Sequence, residues 1–234
     1  MMKRIAVLFV HGFTGNNAIF DFLTPLVPPD YHVEQFTLDG HGGDAKAFSR
    51  TSMQKWKEQV AGVVAGLRAK YDTLLIVAHS MGCLFALQHA AAGRADALFL
   101  INPALYIRVH PRLMRISAKA ISGHIQDDPR ALAATKAYGI AIDKNPLHYY
   151  GWPRRAIELF REAAAVRPII PNIHVCGRVF ISGKDELIST RIVRCFRNAP
   201  QFSTFYLPQS GHFYYPPAEK QIIQNQFTQF LKEI

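Results

Sequence analysis

Ser80 stands in Ala78-His79-Ser80-Met81-Gly82, directly after the apolar run Leu74-Leu75-Ile76-Val77 and directly before a helix-forming stretch from Leu84 to Ala92. The pattern is strand, sharp turn, helix, with a serine at the tip. Small residues two before and two after the serine let the strand and the helix approach closely. The turn then holds the hydroxyl clear of the sheet and aims the backbone N–H of Met81 into the same space. Ala78 stands where glycine is the commoner occupant.

Nucleophilic serine chemistry needs a base to take the hydroxyl proton, an anion to orient that base, and fixed donors for the oxyanion. The base must come from a loop beyond the carboxyl end of a strand, where Ser80 also lies. His212, in Ser210-Gly211-His212, follows the last apolar strand and fits. Asp185 follows Phe180-Ile181-Ser182-Gly183 and fits as the anion. Glu186 competes with it, and Asp185 is preferred because it comes first after the strand. The backbone N–H of Met81 is one oxyanion donor, and Phe13, after His11-Gly12, is the candidate for the second. His79, inside the turn, points away from the serine and has a structural role. His11 and His41 flank glycines and either touch substrate or brace the backbone.

The elements that must position these residues alternate. Strands are expected at Lys3–Val10, Tyr31–Leu38, Thr73–Ala78, Ala97–Ile101, Arg178–Ser182 and Ser203–Leu207, several of them apolar throughout, as in parallel sheets covered on both faces. Helices are expected at Ala18–Leu26, at Thr51–Tyr71 with Thr51 and Gln54 as a capping box, from Ser189 to about Asn198, and at Pro217–Ile234. The spacing of Met53, Trp56, Val60, Val64 and Leu67 marks a buried helix face. Alternating strands and helices imply an α/β fold with a mostly parallel sheet. Residues 1–103 and 173–234 form its core. Between them, 104–172 carries no convincing strand but helical stretches at Arg112–Ser122, Pro129–Ile142 and Pro153–Val166, and reads as a helical cap inserted over the site. Tyr106, Met114, Tyr149, Tyr150 and Trp152 are its candidates for lining a substrate pocket, with packing against the core as the equal alternative.

Composition narrows the class. The chain has 234 residues, 49% hydrophobic and 19% charged, which suits one globular domain with an insertion. No apolar run approaches the roughly 18 residues of a membrane span. The six-residue stretch after Met1-Met2-Lys3-Arg4 is too short for a signal peptide, so it reads as a first strand and the protein as cytoplasmic. Three widely spaced cysteines argue against a disulfide framework and a zinc site, and each reads as a buried free thiol. The net charge is +10, and +6 of it falls within 104–172. That excess is a solvated face, or a weak attraction to anionic substrates or lipid surfaces. No nucleic-acid motif accompanies it.

Taken in order, Phe9-Val10-His11-Gly12-Phe13-Thr14-Gly15-Asn16, Asp39-Gly40-His41-Gly42, Ala78-His79-Ser80-Met81-Gly82, Gly183-Lys184-Asp185-Glu186 and Ser210-Gly211-His212 resemble the α/β-hydrolase superfamily. Within it they look most like small microbial carboxylesterases and monoacylglycerol lipases. The resemblance covers about residues 3–103 and 174–234. It implies a central sheet flanked by helices with a helical cap, Ser80 as nucleophile with Asp185 and His212, and Phe13 and Met81 as oxyanion donors. The expected activity is cleavage of small carboxylic esters, short- to medium-chain or monoacylglycerol-like, without metal or organic cofactor. A thioesterase, an amidase or a carbon–carbon bond hydrolase would use the same three residues, and a non-catalytic binding protein on this fold is the remaining alternative.

Overall fold

The computed structural model describes residues 3–108, 110, 111, 115, 119 and 126–234. Six strands form one sheet: β1 (Ile5–Val10), β2 (His32–Gln35), β3 (Thr73–His79), β4 (Ala97–Ile101), β5 (Cys176–Ser182) and β6 (Phe202–Leu207). Their spatial order is β2-β1-β3-β4-β5-β6, and every neighbouring pair is parallel. The order reverses between β1 and β3, so the loops after those two strands leave the same edge side by side.

Strands β1, β3 and β4 are buried along their whole length. Alternate residues feed two separate cores, because successive side chains of a strand point to opposite faces. Ala6, Leu8, Val10, Leu74, Ile76 and Ala78 pack on one face with helices α2 (Met53–Arg68), α3 (Gly82–Ala91) and α5 (Trp152–Val166). Val7, Phe9, Leu75, Val77, Phe99 and Phe180 pack on the other with Phe20 and with α7 (Pro217–Leu231), through Ile223, Phe227 and Phe230.

Several boundaries differ from the sequence expectation for identifiable reasons. A short helix, α1 (Ala45–Arg50), precedes α2 and is capped by Asp44, whose carboxylate accepts from Ala47 N at 2.7 Å. Thr51 therefore ends α1 instead of starting α2. Its carbonyl is taken by the buried Arg155, and Ser52 becomes the cap of α2, accepting from Lys55 N at 3.2 Å. The stretch expected as a helix over Ala18–Leu26 is two 3₁₀ turns, Asn17–Phe20 and Thr24–Leu26. The stretch after Ser189 begins as a 3₁₀ turn, Thr190–Ile192, and becomes α6 (Val193–Phe196).

The segment between β4 and β5 contributes no strand to the sheet among its described residues. It holds α4 (Pro129–Ala137) and α5, joined through a 3₁₀ turn at Pro146–Tyr149. Helix α4 stops before the expected Ile142 because the chain after Ala137 is drawn into backbone pairing. Gly139 N donates to Thr14 O, Asn16 N to Ala137 O, Gly42 N to Gly139 O, and Ala141 N to Gly43 O. Residues 137–141 thus tie the two glycine-rich loops after β1 and β2 together. The expected Arg112–Ser122 helix and Met114 lie outside the described residues.

All three cysteines are free. Cys83 is buried as expected, whereas Cys176 is exposed at the start of β5 and Cys195 is half-buried. Among the described residues no helix is long and apolar enough to cross a membrane.

Candidate active site

Strand β3 runs into Ser80 with the serine in left-handed backbone, φ 54°. A non-glycine residue there is uncommon and strained, and the surroundings fix it. Ser80 N donates to Ile101 O at 3.0 Å, and Ser80 O accepts from Cys83 N and Ala104 N at 3.2 and 3.1 Å. Helix α3 starts at once and lies hard against β1: a Cβ on Gly82 would stand 2.1 Å from Val10 O, and one on Gly12 would stand 2.8 Å from Ser80 Cβ. The turn exists because these two positions carry no side chain. Cys83 fills the space beneath, its thiol directed at Ala78 O and Ile101 O, and burial pushes that thiol's pKa far up.

Across 132 residues of sequence, His212 Nε2 lies 3.1 Å from Ser80 Oγ, and His212 Nδ1 lies 2.8 Å from Asp185 Oδ2. The side chains of His212 and Asp185 are each 2% exposed. Asp185 Oδ1 accepts from Leu187 N and Ile188 N at 2.7 and 2.6 Å, so the carboxylate cannot turn away from the imidazole. A carboxylate at Nδ1 sets the tautomer with the proton on Nδ1, leaving Nε2 free to accept from the serine hydroxyl. The competing acid, Glu186, does not reach the ring. Its Oε2 accepts from the main-chain N–H of His212 at 2.9 Å.

The main chain of His212 is held at its other end as well. Its carbonyl accepts from His79 Nε2 at 3.0 Å, Tyr215 Oη at 3.1 Å and Asn102 Nδ2 at 3.3 Å. Asn102 is itself in left-handed backbone, φ 49°, and its Oδ1 accepts from Ser182 N at 2.9 Å. It therefore joins the ends of β4 and β5 to the His212 loop. Sequence reasoning named Asn102 only as the end of a strand and missed Tyr215.

His79 is buried with its pKa far below the ordinary value, first because burial disfavours the charged ring and then because His212 lies beside it. His11 braces backbone: Nδ1 donates to Gly12 O at 3.0 Å and Nε2 accepts from Leu38 N at 3.1 Å. Burial lowers its pKa to about 4 and that of His41 to about 3. All three rings are neutral near pH 7.

Among the described residues the N–H groups of Phe13 and Met81 have no acceptor within the chain. The Phe13 ring packs edge-on against Phe48 at 5.1 Å, Phe48 lies 4.8 Å from Trp152, and Trp152 lies 5.0 Å from Tyr149. Trp152 Nε1 also donates to Ala45 O at 3.2 Å. These aromatics thus form one packed run from the loop after β1 into the inserted segment. Tyr106 lies apart from them, with Arg167 stacked 4.6 Å from its ring centre, and Tyr150 is exposed. Among the described residues no three His, Cys, Asp or Glu side chains are grouped to hold a metal ion.

The model of a family described as "Alpha/beta hydrolase family" matches residues 7–222. The chain belongs to the alpha/beta hydrolase family. Solved structures share the architecture of this family member at low identity. A metagenome-derived lipolytic enzyme from work on LipS and LipT has a TM-score of 0.74 at 20% identity, covering 99% of this chain and 95% of its own. The monoacylglycerol lipase of Paleococcus ferrophilus gives 0.68 at 15%, covering 98% and 95%. The haloalkane dehalogenase DbeA of Bradyrhizobium elkani gives 0.69 at 14%, covering 100% and 91%. Likeness at this level shows the fold of the hydrolase and leaves the reaction to the site. No curated protein sequence matches the chain.

Proposed function

We propose that this family member is a serine hydrolase of carboxylic esters that works through an acyl-enzyme. Its alignment of a strained serine, a buried imidazole and a buried carboxylate carries the reading. His212 takes the hydroxyl proton as Ser80 attacks the ester carbonyl. Asp185 holds the imidazole in the right tautomer and stabilises the imidazolium that forms. The N–H groups of Phe13 and Met81 take the oxyanion, the interaction that grows as the tetrahedral intermediate forms. His212 returns its proton to the leaving alkoxide. The same ring then activates water, which attacks the acyl carbon and frees Ser80.

The substrates are small esters, short- to medium-chain or monoacylglycerol-like. Residues 104–172 act as a cap, with the Phe13–Phe48–Trp152–Tyr149 run as one wall of the acyl site. Leu132, Ile142, Leu147, Tyr150, Ile157 and Phe160 on that segment are exposed, as are Lys144 and Arg161. Such a surface suits weak attachment to anionic lipid.

The test is hydrolysis of p-nitrophenyl esters of graded chain length together with labelling by a fluorophosphonate. Label on Ser80, and turnover lost in Ser80→Ala without loss of fold, is the expected result. Turnover retained in Ser80→Ala would remove the reading.

A further inference from the structure

Glu186 is a second buried carboxylate beside His212, with its side chain 5% exposed, and the chemistry above leaves it unused. Its two oxygens are both occupied. Oε2 accepts from His212 N at 2.9 Å, and Oε1 accepts from Arg130 Nη1 at 2.7 Å. Arg130 stands on α4, in the inserted segment. Its Nη2 donates to Gln209 O at 3.0 Å, and its guanidinium lies 5.6 Å from the Tyr214 ring centre. One guanidinium therefore touches residues on both sides of His212 in the loop that carries it. Gly211 makes the room: a Cβ there would stand 2.8 Å from Arg130 Nη1 and 2.9 Å from Glu186 Oε2. The glycine before the histidine serves this ion pair, since it is not among the positive-φ glycines. The start of the inserted segment holds the loop after β5 that carries Glu186, with Arg108 N donating to Leu187 O and His110 N to Glu186 O.

We infer that Arg130 and Glu186 are positioning residues that fix His212 against Ser80, and that through them the segment between β4 and β5 sets the alignment of the base. The inference rests on His212 being the base for Ser80. Removing one partner of a buried ion pair leaves the other charge uncompensated. Without Arg130 the Glu186 carboxylate turns towards water, and its bond to His212 N weakens. The ring is then free to drift, and sub-ångström to ångström displacement of a reacting group is costly to rate. The argument predicts a dependence between two substitutions. With Arg130 present, glutamine at position 186 turns an amide donor towards a guanidinium that only donates. With Arg130 removed, the same glutamine becomes a neutral acceptor for His212 N and no charge is left unpaired.

The experiment uses the full chain, with two readouts: the second-order rate of Ser80 labelling by a fluorophosphonate, and the hydrogen-exchange rate of the His212 amide by NMR. Arg130→Ala is expected to slow labelling on the order of 10- to 100-fold and to speed amide exchange roughly 10-fold or more. Arg130→Ala/Glu186→Gln is expected to recover most of both. Arg130→Lys, which keeps the charge but not the two-pronged contact, gives the same changes in milder form, and it carries the comparison if the alanine variant does not fold. Unchanged His212 exchange in the Arg130 variants, or a double variant no better than the single one, would overturn the inference. Wild-type protein that does not label at all sinks the ester-hydrolase reading separately, and the exchange readout still decides whether Arg130 holds His212.

Discussion

His79 and His212 meet ring to backbone: His79 Nε2 lies 3.0 Å from the carbonyl oxygen of His212, with the ring centres 4.7 Å apart. Burial keeps His79 neutral. That matters for its neighbour under the proposed mechanism, because a charged ring at this distance would oppose the positive charge that His212 would gain as the proposed base. A neutral ring donating one N–H anchors the loop at no electrostatic cost to that role.

His79→Phe removes that donor and keeps the ring. His212 O retains Asn102 and Tyr215, so the loop loosens without detaching. The expected cost is about 1–3 kcal/mol of stability, read by urea denaturation, and roughly a 10-fold loss in the rate of Ser80 labelling. Stability and labelling both at wild-type level would show that the contact is incidental.

Asp185→Asn tests the acid against its neighbour. The amide oxygen can still accept from Leu187 N and Ile188 N, so the loop survives. The amide nitrogen then faces His212 Nδ1 and favours the opposite tautomer, with the proton on Nε2, where it cannot accept from Ser80. Turnover is expected to fall on the order of 10³- to 10⁴-fold with little change in Tm. A loss below 10-fold would remove Asp185 as the orienting anion.

The grouping of Ser80, Asp185 and His212 was legible because each comes from the loop after an expected strand, and parallel strands bring such loops to one edge. What those residues do is left to the experiments above. Asn102, Tyr215 and Arg130 were not legible. Asn102 and Arg130 act through contacts that span 56 to 113 residues of sequence, Tyr215 acts through Asn102 and through the His212 carbonyl three residues away, and nothing in their own neighbourhoods sets them apart. The end of α4 was misjudged for a related reason. Residues 137–141 have helical composition, but loop backbone from residues 14 to 16 and 42 to 43 competes for their hydrogen bonds and wins. Thr51 and Ser52 are both good caps, and only the Arg155 contact to Thr51 O explains which one is used.

Acid should destabilise the protein through its buried histidines His11, His41 and His79, of which His11 is the one to test. Its folded pKa, about 4, is below the ordinary value near 6.5. Between those values the unfolded chain binds the proton and the folded chain does not, so stability rises with pH across that window. It is complete above pH 6.5, falls as pH drops, and levels off below about 4, where both forms are protonated. The loss for His11 alone is about 3 kcal/mol. Urea denaturation at pH 7, 5.5 and 4.5 measures it. His11→Gln, which keeps a short polar group but does not titrate, is expected to flatten the slope. A variant with the wild-type slope would assign the acid sensitivity to other groups.

Trp152 offers the sharpest test of how the inserted segment acts on substrate. Its indole N–H is tied to Ala45 O, and its ring bridges Phe48 and Tyr149. Phe48 in turn packs on the ring of Phe13, whose backbone N–H is a proposed oxyanion donor. Removing the indole leaves a space that starts at Phe48, with the Phe13 ring beyond it. If the run is a wall of the proposed acyl site, a longer acyl chain is expected to fill that space and an acetyl group to fall short of it. Each methylene that gains or loses an apolar pocket changes transition-state binding by about 1–3 kcal/mol. Trp152→Ala is therefore expected to change the octanoyl-to-acetyl ratio of kcat/KM roughly 5-fold or more. Over the same comparison, kcat on the acetate ester should stay within about 3-fold of wild type, since the substitution leaves Ser80, His212 and Asp185 untouched. Trp152→Phe, which keeps most of the contact with Phe48, should fall between the two. The measurement is kcat/KM for p-nitrophenyl acetate, butyrate and octanoate on all three proteins. An equal drop on every ester would mean that Trp152 only fastens the segment to α1 and forms no wall of the acyl site.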